Sequence, residues 1–125
     1  MPPFLDANVI VKAFVDNEDM DNCRRLISEN FVTNTACLLE AERTIGTIKG
    51  DKARASICIK SLFKKDNRIV SVDKNLLFES IKRAGKSHLN VFDRIHYVTA
   101  LLNNCSELVS YDKDFDGLEI KRVEP

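Results

Sequence analysis

The feature that most constrains the fold of this 125-residue chain is the alternation of short apolar runs with amphipathic segments. Apolar runs at 4–5, 31–33, 68–72, 107–110 and 119–123 predict five strands. Apolar residues at helical spacing predict six helices: 7–15, 21–30, 35–48, 52–65, one from Ser71 or Asp73 to near Gly85, and 90–103. Strands that alternate with helices form α/β folds with parallel sheets and right-handed crossovers. We therefore expect an α/β protein with a mostly parallel sheet.

Length and composition predict one ordered domain over residues 1–125. Hydrophobic residues make up 44% and charged residues 30% of the chain, a balance typical of globular proteins. No apolar stretch is long enough to cross a membrane, and Asp6 interrupts the apolar start, which also lacks the basic residues of a signal peptide. Scattered cysteines at Cys23, Cys37, Cys58 and Cys105 indicate packed thiols rather than a zinc site or disulfides, and so a reducing, cytoplasmic setting.

A net charge of zero hides a strong segregation of charge along the chain. Residues 1–48 hold 4 basic and 8 acidic groups, residues 49–94 hold 12 and 5, and residues 95–125 hold 3 and 6. An acidic zone facing a basic zone suits a metal-dependent enzyme that acts on a phosphate polymer. The alternative is a solvated, lysine-rich helical face. The candidate phosphate contacts in the basic third are Lys60, Lys64, Lys65, Arg68 and Lys86.

Four carboxylates occupy positions at which α/β proteins bind ligands. Asp6 directly follows the first predicted strand and Asp112 the fourth. Glu40 lies on the helix after the second strand, and Asp93 begins the helix before the fourth. Ligands of parallel sheets bind beyond the carboxyl ends of the strands, so these acids converge if the first and fourth strands are neighbours. A site made only of carboxylates selects Mg²⁺ or Mn²⁺.

Each acid also has a purely structural interpretation. Asp6 can cap a helix, and Asp93, three residues after Asn90, can complete a capping box. Glu40 and Glu42 both flank the apolar stripe of their helix, so periodicity alone does not choose between them. The acids after the fourth strand can be turn residues: Asp112, Asp114 and Asp116.

The order of the sequence segments around these acids is informative in itself. They read F-L-D-A-N-V-I-V at 4–11, T-A-C-L-L-E at 35–40, N-V-F-D-R-I-H-Y-V-T-A at 90–100 and L-V-S-Y-D-K-D-F at 108–115. In this order the set resembles the PIN-domain family, which includes the VapC-type toxins of toxin–antitoxin pairs. The resemblance covers nearly the whole chain. It implies a three-layer α/β/α sandwich with a short, mostly parallel central sheet.

The resemblance also implies a site and an activity. The implied catalytic and metal-binding acids are Asp6, Glu40, Asp93 and Asp112. The family spacing favours Glu40 over Glu42, and Ser110 matches a hydroxyl that supports the site. The implied activity is Mg²⁺- or Mn²⁺-dependent (endo)ribonuclease action on RNA by a cytoplasmic homodimer, with a small antitoxin as a partner.

Some features depart from the family pattern or leave alternatives open. Asn8 and Arg94-Ile95-His96 are not the commonest residues beside the first and third acids, and Asp114 and Asp116 both lie near the fourth. A non-catalytic PIN-like domain that binds RNA or protein is the main alternative. A phosphoacceptor receiver domain fits less well, because only one acid follows the first strand. Which RNA is cut, whether one or two metals act, and whether the chain is a toxin or a processing enzyme stay open.

Overall fold

The strands of the described residues form one parallel sheet. The structure, a computed structural model, describes residues 1–64 and 66–125. Its strands are β1 (Phe4–Leu5), β2 (Val32–Asn34), β3 (Arg68–Val70), β4 (Leu108–Val109) and β5 (Arg122–Val123). They lie in the order β3-β2-β1-β4-β5, with Phe4 opposite both Val32 and Leu108. The predicted α/β fold is confirmed, and β1 and β4 are neighbours as convergence of the acids requires.

In the described part of the chain, six α-helices accompany the strands. They are α1 (Ala7–Phe14), α2 (Met20–Ser28), α3 (Thr35–Lys49), α4 (Lys52–Lys60), α5 (Lys74–Ile81) and α6 (Val91–Leu102). A short 3-10 helix spans Lys113–Phe115 after β4. The predicted helix over 52–65 ends earlier, at Lys60, and Lys65 lies outside the described residues. Within the described ranges, no helix has the length and apolarity to span a membrane.

The ends of α3 show how the sequence sets helix boundaries. Asn34 caps α3, and its Oδ1 accepts a hydrogen bond of 2.8 Å from the Cys37 N–H. The next residue, Thr35, uses its hydroxyl to accept from the backbone N–H of Val72, beyond β3. Gly50 ends the helix in the left-handed conformation, with φ of 63°, which glycine adopts without steric cost. The two boundary residues are therefore of the types that begin and end helices.

The core lies against the sheet, and its limits differ from the predicted helix stripes. Phe4, Leu5 and Val32 are fully buried, as expected for strands covered on both faces. On α4, Ile59 is buried whereas Ile57 is 61% exposed. Other large apolar side chains on or next to the helices are also exposed: Ile48, Phe63, Leu77, Ile81, Phe92 and Leu102. Because each short helix covers the core with one edge only, the outer edge of its apolar stripe remains at the surface.

Candidate active site

Asp6 lies where β1 ends and α1 begins, and its carboxylate has two roles. Its backbone N–H donates to the Val109 carbonyl, so the residue still belongs to the sheet. Its Oδ1 accepts from the Ala7 N–H at 2.8 Å, which makes Asp6 the cap of α1. The side chain is only 5% exposed, yet it lines a cleft of about 430 Å³. The helix cap and the site residue are therefore the same carboxylate.

The hydroxyl of Ser110 joins the two strand-end acids. It donates to Asp6 Oδ2 at 2.7 Å and accepts from the Asp112 N–H at 3.0 Å. It also accepts from Asn8 Nδ2 at 3.3 Å, while Asn8 Oδ1 accepts from the Tyr111 N–H at 3.4 Å. Asn8, which departs from the family pattern, thus links the start of α1 to the segment after β4. These hydrogen bonds hold the carboxyl ends of β1 and β4 in fixed register.

The structure separates Glu40 from Glu42. Glu40 faces the same cleft as Asp6. Partial burial and the nearby charge of Asp6 raise the pKa of the Glu40 carboxyl, while Arg43 opposes the rise. Glu42 instead lies in the groove between α3 and α4, where it accepts from the Ser56 hydroxyl at 2.7 Å. Only Glu40 therefore joins the other predicted acids.

Asp93 and Asp112 also line the cleft, and their carboxylates lie close to each other. One oxygen from each of Asp93, Asp112 and Asp114 lies within 4.8 Å of the other two. Asn90 caps α6 by accepting from the Asp93 N–H, so the helix start does not depend on the Asp93 carboxyl. Burial, then the charges of Asp112 and Asp6, raise the pKa of Asp93 from 3.8 to about 7. The carboxyl is thus held partly protonated near neutral pH.

The two alternative acids after Asp112 have different surroundings. Asp114 belongs to the cluster with Asp93 and Asp112. Asp116 instead forms an ion pair with Arg122, at 2.6 Å between its Oδ1 and Nε. Its charge is therefore already compensated, and it does not line the cleft. Of the two, Asp114 is the acid placed to assist the predicted site.

A buried hydrogen-bonded group lies beneath Asp6. Asn34 Nδ2 donates to His96 Nδ1 at 3.1 Å and to the Thr99 hydroxyl at 3.0 Å. The Sγ of Cys37 lies 3.4 Å from His96 Nδ1 and donates to Asp6 Oδ1 at 3.9 Å. Burial lowers the pKa of His96 and raises that of Cys37, so both are neutral at pH 7. Because Asn34 Nδ2 donates to the lone pair of His96 Nδ1, that nitrogen is not free to bind a metal. We therefore interpret these buried side chains as a support for Asp6 and not as a second metal site.

Four predicted acids and two cations line one cleft of about 430 Å³. Its charged side chains are Asp6, Lys12, Glu40, Arg43, Asp93 and Asp112. Lys12 and Arg43 were not among the predicted phosphate contacts, because they lie in the acidic third of the sequence. Lys12 lies about two turns along the helix that Asp6 caps, and Arg43 lies one turn after Glu40 on α3. Helical spacing could therefore have indicated that both cations lie near the acids.

Three of the predicted phosphate contacts lie outside this cleft. Arg68 begins β3, at the amino edge of the sheet and away from the acids, and its guanidinium donates to Asn103. Lys60 lines the groove between α3 and α4, and Lys86 lies beside Arg83 on a different surface. Lys65 lies outside the described residues. Their contact with RNA stays a prediction, and the cations that line the cleft come from other segments of the described chain.

The donor atoms of the cleft define which ion fits it. Asp6, Glu40, Asp93 and Asp112 offer carboxylate oxygens from four different elements, with Asp114 beside them. Such hard oxygen donors, without an imidazole or thiolate facing the cleft, suit Mg²⁺ or Mn²⁺. Two carboxylates about 4 Å apart repel by about 4 kcal/mol at an effective dielectric near 20, so a divalent cation compensates a real cost. The residues present fit such an ion.

Comparisons with known proteins bear on the family and the fold of the chain. The family model described as PIN domain matches residues 4–121. A search of curated proteins by sequence found no significant match. The fold is similar to that of Mycobacterium tuberculosis VapC20, described as a Sarcin-Ricin loop cleaving toxin (TM-score 0.78, 15% identity, 98% of each chain covered).

Two further solved structures share the fold. One is a toxin–antitoxin complex from Klebsiella pneumoniae, with a TM-score of 0.76, 16% identity, and 97% of this chain and 95% of that chain covered. The other is VapBC2 from Rickettsia felis, bound to a DNA fragment from their promoter, with a TM-score of 0.69 and 16% identity. It covers 99% of this chain and 98% of that chain. At these identities the similarity shows the fold alone.

Proposed function

Since the chain belongs to the PIN-domain family, we propose that it is a metal-dependent ribonuclease that hydrolyses RNA phosphodiesters. The observation that carries the proposal is the convergence of Asp6, Glu40, Asp93 and Asp112 on one cleft. A surface that only bound RNA would gain nothing from four converging carboxylates, because they repel phosphate. The alternative of a non-catalytic binding domain is therefore not favoured.

The acids of the cleft have distinct proposed roles. Asp6, Glu40, Asp93 and Asp112 would hold one or two Mg²⁺ or Mn²⁺ ions, with Asp114 as an additional oxygen donor. A bound divalent ion supplies a Lewis acid for the phosphate and lowers the pKa of its water. Ser110 fixes Asp6 relative to Asp112 through its hydrogen bonds. Asp93 would bind the ion as a carboxylate, since a nearby cation offsets the neighbouring negative charge that contributes to its raised pKa.

We further propose that this ribonuclease is the toxin of a toxin–antitoxin pair and acts in the cytoplasm as a homodimer. One protein with a similar fold is described as a toxin–antitoxin complex and another as a toxin, which supports a small antitoxin as a partner. Exposed apolar side chains at helical spacing on α5 also support a protein partner, because they place apolar surface on one face of the helix: Leu77, Phe78 and Ile81. The free cysteines suit a reducing compartment.

RNA cleavage in the presence and absence of divalent ions tests the proposal. We expect the purified protein to cut RNA in Mg²⁺ or Mn²⁺ and to lose this activity in EDTA, with recovery when the metal is restored. The measurement is product formation on denaturing gels with several structured and single-stranded RNAs. Equal cleavage in EDTA would overturn the metal mechanism, and the Asp93→Asn variant controls for a contaminating nuclease.

A further inference from the structure

Two cations share the cleft with the acids, one from each of two packed helices. Lys12 comes from α1 and Arg43 from α3, and these helices pack against each other. Among residues 1–64 and 66–125, no carboxylate lies within ion-pair distance of either side chain. Their charges are therefore available to a ligand in the cleft.

Lys12 is held in place without use of its hydrogen-bond donors. Its Nζ lies 4.5 Å from the centre of the Tyr111 ring, a cation–π contact. The Tyr111 hydroxyl donates to Asp19 Oδ2 at 2.8 Å, which fixes the ring against the start of α2. A cation that rests on an aromatic face keeps its N–H groups free, so Lys12 is oriented in advance to donate to an anion.

Arg43 lies one helical turn after Glu40 and is exposed to solvent. Both residues line the same cleft, and among the described residues no ion pair joins the Arg43 guanidinium to the Glu40 carboxylate. Guanidinium groups bind phosphate through two parallel N–H donors. Arg43 therefore offers a phosphate contact at the edge of the acidic cluster.

We propose that Lys12 and Arg43 bind two backbone phosphates of the RNA, one from each wall of the cleft, flanking the phosphate on which the acids act. This inference rests on the proposed ribonuclease function and names how that site holds its substrate. The acids repel the polyanion, so the strand needs anchors besides the metal. Lys12 and Arg43 are the cations that line the cleft within the described part of the chain.

The test compares Lys12→Gln, Arg43→Gln and Arg43→Lys with Arg25→Gln, which removes an exposed cation on α2 outside the cleft. The probe is a fluorescein-labelled, mixed-sequence single-stranded RNA of about 20 nucleotides. Ca²⁺ replaces Mg²⁺ because it takes the same oxygen ligands, and gels verify that the probe stays intact. Binding is measured between about 50 and 200 mM salt, because each phosphate contact adds about 0.7 to the salt slope for single strands.

We expect each Gln variant to bind the probe about 5–20-fold more weakly and to lose about 0.7 of the slope, whereas Arg43→Lys keeps the slope. In Mg²⁺, KM should rise with little change in kcat, and Arg25→Gln should match the wild type.

If the wild type binds and cleaves RNA but both Gln variants do the same, this inference is wrong and the proposed function stands. A fall in kcat alone for Arg43→Gln also overturns it, since Arg43 would then act through Glu40. Absence of binding and cleavage by the wild type would remove both proposals.

Discussion

Replacement of Glu40 by glutamine should reduce RNA cleavage by about 100-fold or more, because it removes a carboxylate that faces the cleft. The same replacement at Glu42 should change cleavage by less than about twofold, since that side chain contacts only the exposed hydroxyl of Ser56. The two variants differ by two positions on one helix and remove the same charge. The measurement is the initial rate of cleavage at saturating Mg²⁺.

A matched stability measurement separates a catalytic effect from misfolding. The raised pKa of Glu40 means that its charge is unfavourable in the folded, metal-free protein. Glu40→Gln should therefore melt at the same temperature as the wild type or above it without metal. If Glu42→Gln is the inactive variant, the second acid has been assigned to the wrong residue.

Replacement of Asp93 by asparagine should stabilise the metal-free protein at pH 8. The folded state raises the pKa of this carboxyl to about 7 from 3.8, so the folded state binds more protons than the unfolded state between these values. Stability is therefore lost as pH rises from about 4 to about 7, and the full cost is present at pH 8. Discounted for the exposed part of the side chain, that cost is about 1–2 kcal/mol. The variant should melt about 3–8 °C higher than the wild type at pH 8.

The pH and metal dependence of this effect identify its cause. At pH 4 the difference between Asp93→Asn and the wild type should nearly vanish, because the wild-type carboxyl is then protonated in the folded protein. Addition of Mg²⁺ should raise the melting temperature of the wild type more than that of the variant. Asp116→Asn is the control, since it removes an acid already paired with Arg122 and should not stabilise the protein. An equal loss of stability at both pH values for Asp93→Asn would mean that its carboxyl has a structural role only.

The sequence alone predicted that the acids at the ends of two strands lie close together. Asp6 and Asp112 each follow an apolar run, and parallel neighbours bring such positions to one edge of the sheet. The choice of Glu40 over Glu42 came from the family resemblance, because both flank the same apolar stripe. The structure separates them through α4, whose Ser56 engages Glu42. Packing between helices is the information that periodicity lacks.

The cations of the cleft, in contrast, were not predicted from the sequence. The charge count assigned phosphate binding to the basic middle of the chain, but Arg68 lies at the far edge of the sheet. Lys12 and Arg43 face the acids although their segment is acidic overall. Net charge along the sequence does not specify a surface, because neighbouring residues of a helix point to different sides.

Asp6, Glu40, Asp93 and Asp112 should together hold a divalent ion. Crystals grown with Mn²⁺ and measured at its absorption edge test this expectation. We predict an anomalous peak in the cleft, with carboxylate oxygens from these acids about 2.0–2.3 Å from the ion. The peak should be lost in Asp93→Asn crystals at the same Mn²⁺ concentration. A fully occupied Mn²⁺ bound elsewhere, with no density among these four carboxylates at millimolar Mn²⁺, would contradict the account.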